Sequence, residues 1–216
     1  MNLIEPQRWY TILIYLNTTV FDSLTLTQII PVLADVFVFT YPIILIVWYV
    51  TGIIKQNPQI KSDALTIFSW AVYATIINII LQSFLHKDRP IFAWDSSIHM
   101  ILSDLPTASF PSDHAAVSMV FALMILSIAY RHKNQSLKFL ALALTFSSII
   151  MSISRVAVWV HWPTDIIAGW GVAIVVFALF NIRSVQTLQD TYVNQPIIKL
   201  QERVFRITWI QKIITK

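Results

Sequence analysis

Short stretches of the chain concentrate the side chains able to do chemistry. Pro111-Ser112-Asp113-His114 stands directly before an apolar run. Ser154-Arg155 is followed after five residues by His161, and after three more by Asp165. Upstream, "HKDRPIF" contributes Arg89. A serine ahead of an apolar helix is a candidate N-cap, and the first N–H groups of that helix have no intrahelical partner. Free N–H groups and a favourable dipole make such a helix start an anion site. Arg89 and Arg155 would add fixed positive charge and forked donors that match phosphate oxygens. Their chemistry would be to neutralise charge on a phosphoryl group in transfer.

His161 and Asp165 are four residues apart, and Pro163 suits the first turn of a helix. Asp165 would then lie near that helix start and could accept from one imidazole nitrogen of His161, fixing its tautomer. The other nitrogen is left as a nucleophile, which is the triad logic in general form. His114 is the candidate general acid for the leaving oxygen. Each feature also has a plainer reading. The Pro-Ser-Asp-His run could be only a helix cap. Arg155 could be snorkelling to headgroups. His161 and Asp165 could be a structural pair, or part of a zinc site with His114. One phosphate site accounts for all of them together.

The elements that must hold these residues are membrane helices. Of 216 residues, 56% are hydrophobic and 12% charged, well below the quarter usual in soluble domains. Mean hydropathy is +0.68. There is no cysteine, so disulfides and thiolate metal sites are excluded. The net charge of +4 does not point to nucleic acid, because the basic residues are not clustered with aromatic motifs. No cleavable signal is evident in "MNLIEPQRWY". Apolar segments at 36–54, 64–85, 115–130, 139–154 and 166–182 predict five spans, the last three short unless flanking turns contribute. Residues 7–30 predict one or two interfacial or re-entrant helices, with a sixth span as the alternative. The tail, with Lys199, Arg203, Arg206 and Lys212 among Ile198, Val204, Phe205, Trp209 and Ile213, predicts a basic amphipathic helix on a membrane surface. The expected organisation is an N-terminal segment over 1–30, a transmembrane domain over 31–183 and a tail over 184–216. The expected fold is therefore an all-α integral membrane bundle of five or six transmembrane helices.

Five spans put Lys55, Lys61, Arg131, Lys133, Lys138, Arg183, Lys199, Arg203, Arg206, Lys212 and Lys216 on one face. Arg8, Lys87, Arg89 and Arg155 fall on the other. The positive-inside rule makes the first face cytoplasmic. The two loops that carry Arg89, Ser112, His114, Arg155, His161 and Asp165 then face outward. Trp94, Trp159 and Trp162 would form an aromatic belt there.

"DRP" around Arg89, "PSDH" at 111–114 and "SRVAVWVHWPTD" at 154–165 resemble the three signature motifs of the type 2 phosphatidic acid phosphatase superfamily. The resemblance covers about half the chain. It implies a metal-independent lipid phosphatase with no cofactor, working through a phosphohistidine on His161. It also implies that His114 and Asp165 act beside it, and that Arg89, Ser112, Asp113 (through its backbone N–H) and Arg155 hold phosphate. Two positions depart from the pattern. The lysine usual seven residues before the first-motif arginine is Gln82 here, a candidate neutral donor to phosphate, with Lys87 close to Arg89. The glycine usual in the second motif is Asp113. The Pro-Ser-Asp-His variant is similar to the bacitracin-resistance type of undecaprenyl pyrophosphate phosphatases. That implies a lipid pyrophosphate substrate and a bacterial plasma membrane setting. Another lipid phosphate (phosphatidylglycerophosphate, phosphatidate or lipid A) and a non-enzymatic lipid-binding or transport role are the alternatives.

Overall fold

The computed structural model describes residues 7–93 and 108–207. Every regular element among them is helical. Short α1 (Gln7–Phe21) turns at Asp22 into α2 (Leu24–Ile54), whose N-cap Ser23 accepts from the Leu26 N–H. Asn57 caps α3 (Pro58–Phe84), accepting from Gln59 and Ile60, with Pro58 in the first turn where a missing N–H costs nothing. A single turn, α4 (Pro90–Ala93), follows. Then come α5 (Asp113–Arg131), α6 (Gln135–Ala157) capped by Asn134, and α7 (Pro163–Phe180). The chain ends in α8 (Arg183–Gln189), a π-helical turn at Asp190–Asn194, and α9 (Gln195–Ile207).

Helices α2, α3, α5, α6 and α7 are long and apolar enough to cross a membrane. They match the five expected spans, and flanking turns do lengthen the last three. The first span differs. It starts at Leu24 rather than Val36, so the expected division at residues 30/31 falls inside α2. Asn17, Thr18, Thr19, Asp22 and Gln28, which interrupt the apolar run over residues 7–30, had argued against reading it as a span. Ser23 and the Asp22 turn are where the helix in fact breaks. At 15 residues α1 is about 22 Å long, too short for a hydrocarbon core of about 30 Å.

Lipid tails are as apolar as leucine, so helices in a bilayer associate through close packing of small residues. The sequence follows this rule. Helix α5 packs on α3, α6 and α7 and buries Ala115, Ala116, Ala122 and Ala129. Against it α6 buries Ala141, Ser148 and Ser152, and the Ser118 and Ser148 hydroxyls meet at 2.6 Å. Large side chains such as Phe39, Phe139 and Phe146 point outward.

The tail is clasped to the bundle rather than lying apart from it. Asn194, 1% exposed, donates to Ser62 and Thr66 of α3 and accepts from Gln189. Ser62 donates to Asp190, and buried Lys61 pairs with Glu202 at 2.7 Å. Trp209, Lys212 and Ile213 of the expected amphipathic helix lie outside the described residues.

Candidate active site

The polar residues singled out by sequence gather at the end of the bundle where α5 and α7 begin and α6 ends. Ser112, with extended backbone, is the N-cap of α5, its Oγ accepting from the Ala115 N–H at 3.5 Å. Its own N–H donates to the Asp165 carbonyl at 3.0 Å, which ties the start of α5 to the first turn of α7. The two helices come this close because position 169 is glycine. A Cβ there would stand 2.6 Å from the Ser112 carbonyl oxygen.

His161 sits in the turn between α6 and α7. Trp159, a non-glycine residue at φ 66°, reverses the chain there, and its ring is fully packed. A bulky residue in the left-handed region costs of order 1 kcal/mol, which the burial offsets. The turn leaves His161 3% exposed and places its Nδ1 3.0 Å from the Ser109 carbonyl and 3.5 Å from Asp165 Oδ2. Both neighbours are acceptors, so Nδ1 carries the proton and Nε2 carries the lone pair. Arg89 Nη1 lies 3.5 Å from that Nε2 and donates to the Val160 carbonyl at 2.9 Å. The Ser109 carbonyl, not Asp165, is the nearer orienter.

Asp165 is wholly buried. One carboxylate oxygen accepts from the Trp162 N–H at 2.8 Å, capping α7, and the other takes Lys87 Nζ at 2.9 Å. Lys87 also donates to Thr164 at 2.6 Å and stands 5.6 Å from the ring centres of Phe110 and Trp162. Lys87 Nζ is thus held among Asp165, Thr164 and two aromatic rings.

The second histidine, in the same site, has its own nearest partners. His114 Nε2 is 3.4 Å from Arg155 Nη1 and 3.7 Å from Asp35 Oδ1. Arg155, 4% exposed, also pairs directly with Asp35. Asp35 is a carboxylate in contact with these site residues that the sequence reading did not single out.

Asp113 turns away from this group. Its carboxylate accepts from Asn78 at 2.9 Å and from Gln82 at 3.2 Å, and Gln82 also donates to the Pro111 carbonyl at 3.0 Å. The Gln82 amide, a candidate neutral donor to phosphate, thus donates to two acceptors of the Pro-Ser-Asp-His turn. With Asp113 held through its side chain, its backbone N–H stays among the unbonded first-turn donors of α5.

Trp159 and Trp162 are each 2% exposed, and so are not an interfacial belt. With Leu13 of α1 they form a small core over the His161 turn. Tyr10 packs edge-on against Trp162, and Asn17 donates to the Ala157 carbonyl. Helix α1 thus covers the site loop from outside. Trp94 lies outside the described residues.

The profile of the PAP2 superfamily matches residues 63–187, which hold every one of these motifs. The chain belongs to the PAP2 superfamily. Two curated relatives are similar to this PAP2 protein. Undecaprenyl-diphosphatase BcrC of Bacillus subtilis is 25% identical over 66% of this chain and 67% of its own length. An undecaprenyl-diphosphatase of Sulfolobus acidocaldarius is 26% identical over 57% of each chain. Among solved structures, the transmembrane PAP2 type phosphatidylglycerolphosphate phosphatase from Bacillus subtilis superposes with a TM-score of 0.58. It is 19% identical, and the match covers 88% of this chain and 90% of that one. That likeness establishes the fold, and the five long apolar helices make it a multi-pass membrane one.

Proposed function

We propose that this PAP2 protein is a lipid pyrophosphate phosphatase that removes the terminal phosphate of undecaprenyl pyrophosphate. The observation that carries the reading is the state of His161. Acceptors on the Nδ1 side force the lone pair onto Nε2, and an arginine lies beside that nitrogen. A buried imidazole with a fixed tautomer next to a fixed cation is what in-line attack on a phosphorus atom requires. Nε2 bonds to the terminal phosphorus, and the bridging P–O bond breaks toward the lipid monophosphate. His114, when protonated, gives its proton to that leaving oxygen. Water then attacks the phosphohistidine, His114 takes back a proton, and inorganic phosphate leaves. Arg89, Arg155 and the first N–H groups of α5 hold the non-bridging oxygens. No metal or cofactor takes part.

The relatives' names support the pyrophosphate substrate. An apolar groove of about 360 Å3 between α2, α3 and α5, with Val38, Tyr41, Pro42, Phe68, Val117 and Phe121 in its wall, offers a place for the hydrocarbon tail. Val38 and Val117 lie about one turn along their helices from Asp35 and His114, so the groove leads from the site into the bilayer. The charge asymmetry of the loops supports an outward-facing site, and the Bacillus subtilis relative supports a bacterial plasma membrane as its setting.

The test is phosphate release by purified protein in detergent from undecaprenyl pyrophosphate, phosphatidylglycerophosphate, phosphatidate and lipid A in parallel. Preference for one of the last three overturns the substrate. Near wild-type turnover by His161→Ala overturns the phosphohistidine route, and strict loss of activity in EDTA overturns the metal-free scheme.

A further inference from the structure

Asp35 is a carboxylate inside a site built for phosphate. It lies on α2, outside the stretch matched by the PAP2 profile, so the family motifs do not account for it. Its side chain is 40% exposed, while the arginine it holds is buried. Its Oδ1 touches both Arg155 Nη1 and, at 3.7 Å, His114 Nε2, two groups that the proposed mechanism directs at the substrate. A carboxylate and a phosphate oxygen cannot accept from the same N–H in the same place. The two anions also repel one another wherever they share a mouth.

We propose that Asp35 is an internal competitor for phosphate, acting through Arg155. Its carboxylate occupies the guanidinium edge that a phosphate oxygen takes during the reaction. It yields to the pyrophosphate of the substrate, whose tail and second phosphate add binding energy. It then retakes Arg155 against inorganic phosphate, which has neither, and so favours product release. The inference rests on reading the site as a phosphate site.

The sign of the expected effect separates this role from a merely structural one. Removing a supporting ion pair from Arg155 would weaken phosphate binding. Removing a competitor tightens it, by roughly tenfold for one unit charge a few ångströms away. The experiment measures product inhibition by inorganic phosphate, and its direct binding by 31P NMR, for the full chain in detergent. Asp35→Asn is expected to lower the inhibition constant about tenfold and to lower kcat at saturating substrate, because release slows. Asp35→Glu keeps the charge and is expected to stay near wild type. Asp35→Ser, smaller and neutral, must show the same tightening if Asp35→Asn is not recovered folded. Unchanged or weaker phosphate binding in whichever neutral variant is recovered overturns the proposal. Arg155→Ala tests the underlying reading separately: phosphate binding equal to wild type in that variant would show that the site itself is misassigned.

Discussion

Gly169→Ala should damage the site from two turns away, by an amount the geometry sets. The new Cβ would stand 2.6 Å from the Ser112 carbonyl, 3.0 Å from Ala115 Cβ and 3.2 Å from the Ala116 nitrogen. Ordinary contact begins near 3.4 Å, so α7 must retreat from the start of α5 by about 0.8 Å. The obstacle is backbone at two of the three contacts, so no rotamer relieves it. Overpacking of this kind costs about 1–3 kcal/mol. The same retreat stretches the Ser112 N–H bond to the Asp165 carbonyl and moves the α5 donors relative to His161. A misplacement approaching 1 Å in a catalytic constellation lowers turnover by roughly a hundredfold. Gly171→Ala is the internal control, because a Cβ there meets nothing within 4 Å. Thermal unfolding in detergent and kcat/KM for phosphate release should be measured on both variants. Wild-type turnover by Gly169→Ala, or equal damage from Gly171→Ala, would refute the link between helix approach and site geometry.

Lys87→Met leaves the wholly buried Asp165 without its cation, and breaking a buried pair in this way costs about 3–5 kcal/mol; unchanged thermal unfolding would contradict that role. Gln82→Leu removes donors from Asp113 and Pro111 and should cost about 1–3 kcal/mol of stability. A pure loss of kcat/KM with stability intact would instead make Gln82 a phosphate ligand. Asn194→Leu unpairs Ser62, Thr66 and Gln189 at the opposite end of the bundle, with a similar cost of about 1–3 kcal/mol. Tail residues should become cleavable by protease while turnover per folded molecule stays at wild type.

Much of this arrangement was legible in the sequence, because bilayer length and charge cost leave few alternatives. Five apolar runs fixed which loops share a face, and that alone brought Arg89, Ser112, Arg155 and His161 together. Ser112 could be read as a cap because capping depends on local chemistry. Asp35 escaped notice because it sat at the edge of the expected first span, where an acidic residue looks like a boundary. Within the longer α2 it is instead an acid in an apolar helix, which is the signature of a functional group. The Ser109 carbonyl that orients His161 is backbone, and no residue type announces it. Lys87 was visible, but its partner Asp165 is 78 residues away, and only packing chooses between a carboxylate and a phosphate. Trp159 and Trp162 read as a belt because tryptophan favours membrane interfaces. What buries them is α1, a helix whose docking the local pattern did not specify.

Helix α3 is fastened at both ends. Near its start, Lys61, Ser62 and Thr66 are bonded to the tail; near its finish, Asn78 and Gln82 grip Asp113. Its 27 residues make a rod about 40 Å long. Such a rod cannot slide along its axis without breaking bonds at one surface or the other. When the surrounding bilayer thins, the remaining freedom is to lean, and leaning swings the amides that grip Asp113. Helix α3 therefore joins the tail clasp at one membrane surface to the Pro-Ser-Asp-His turn at the other, so a change of its tilt is felt at both.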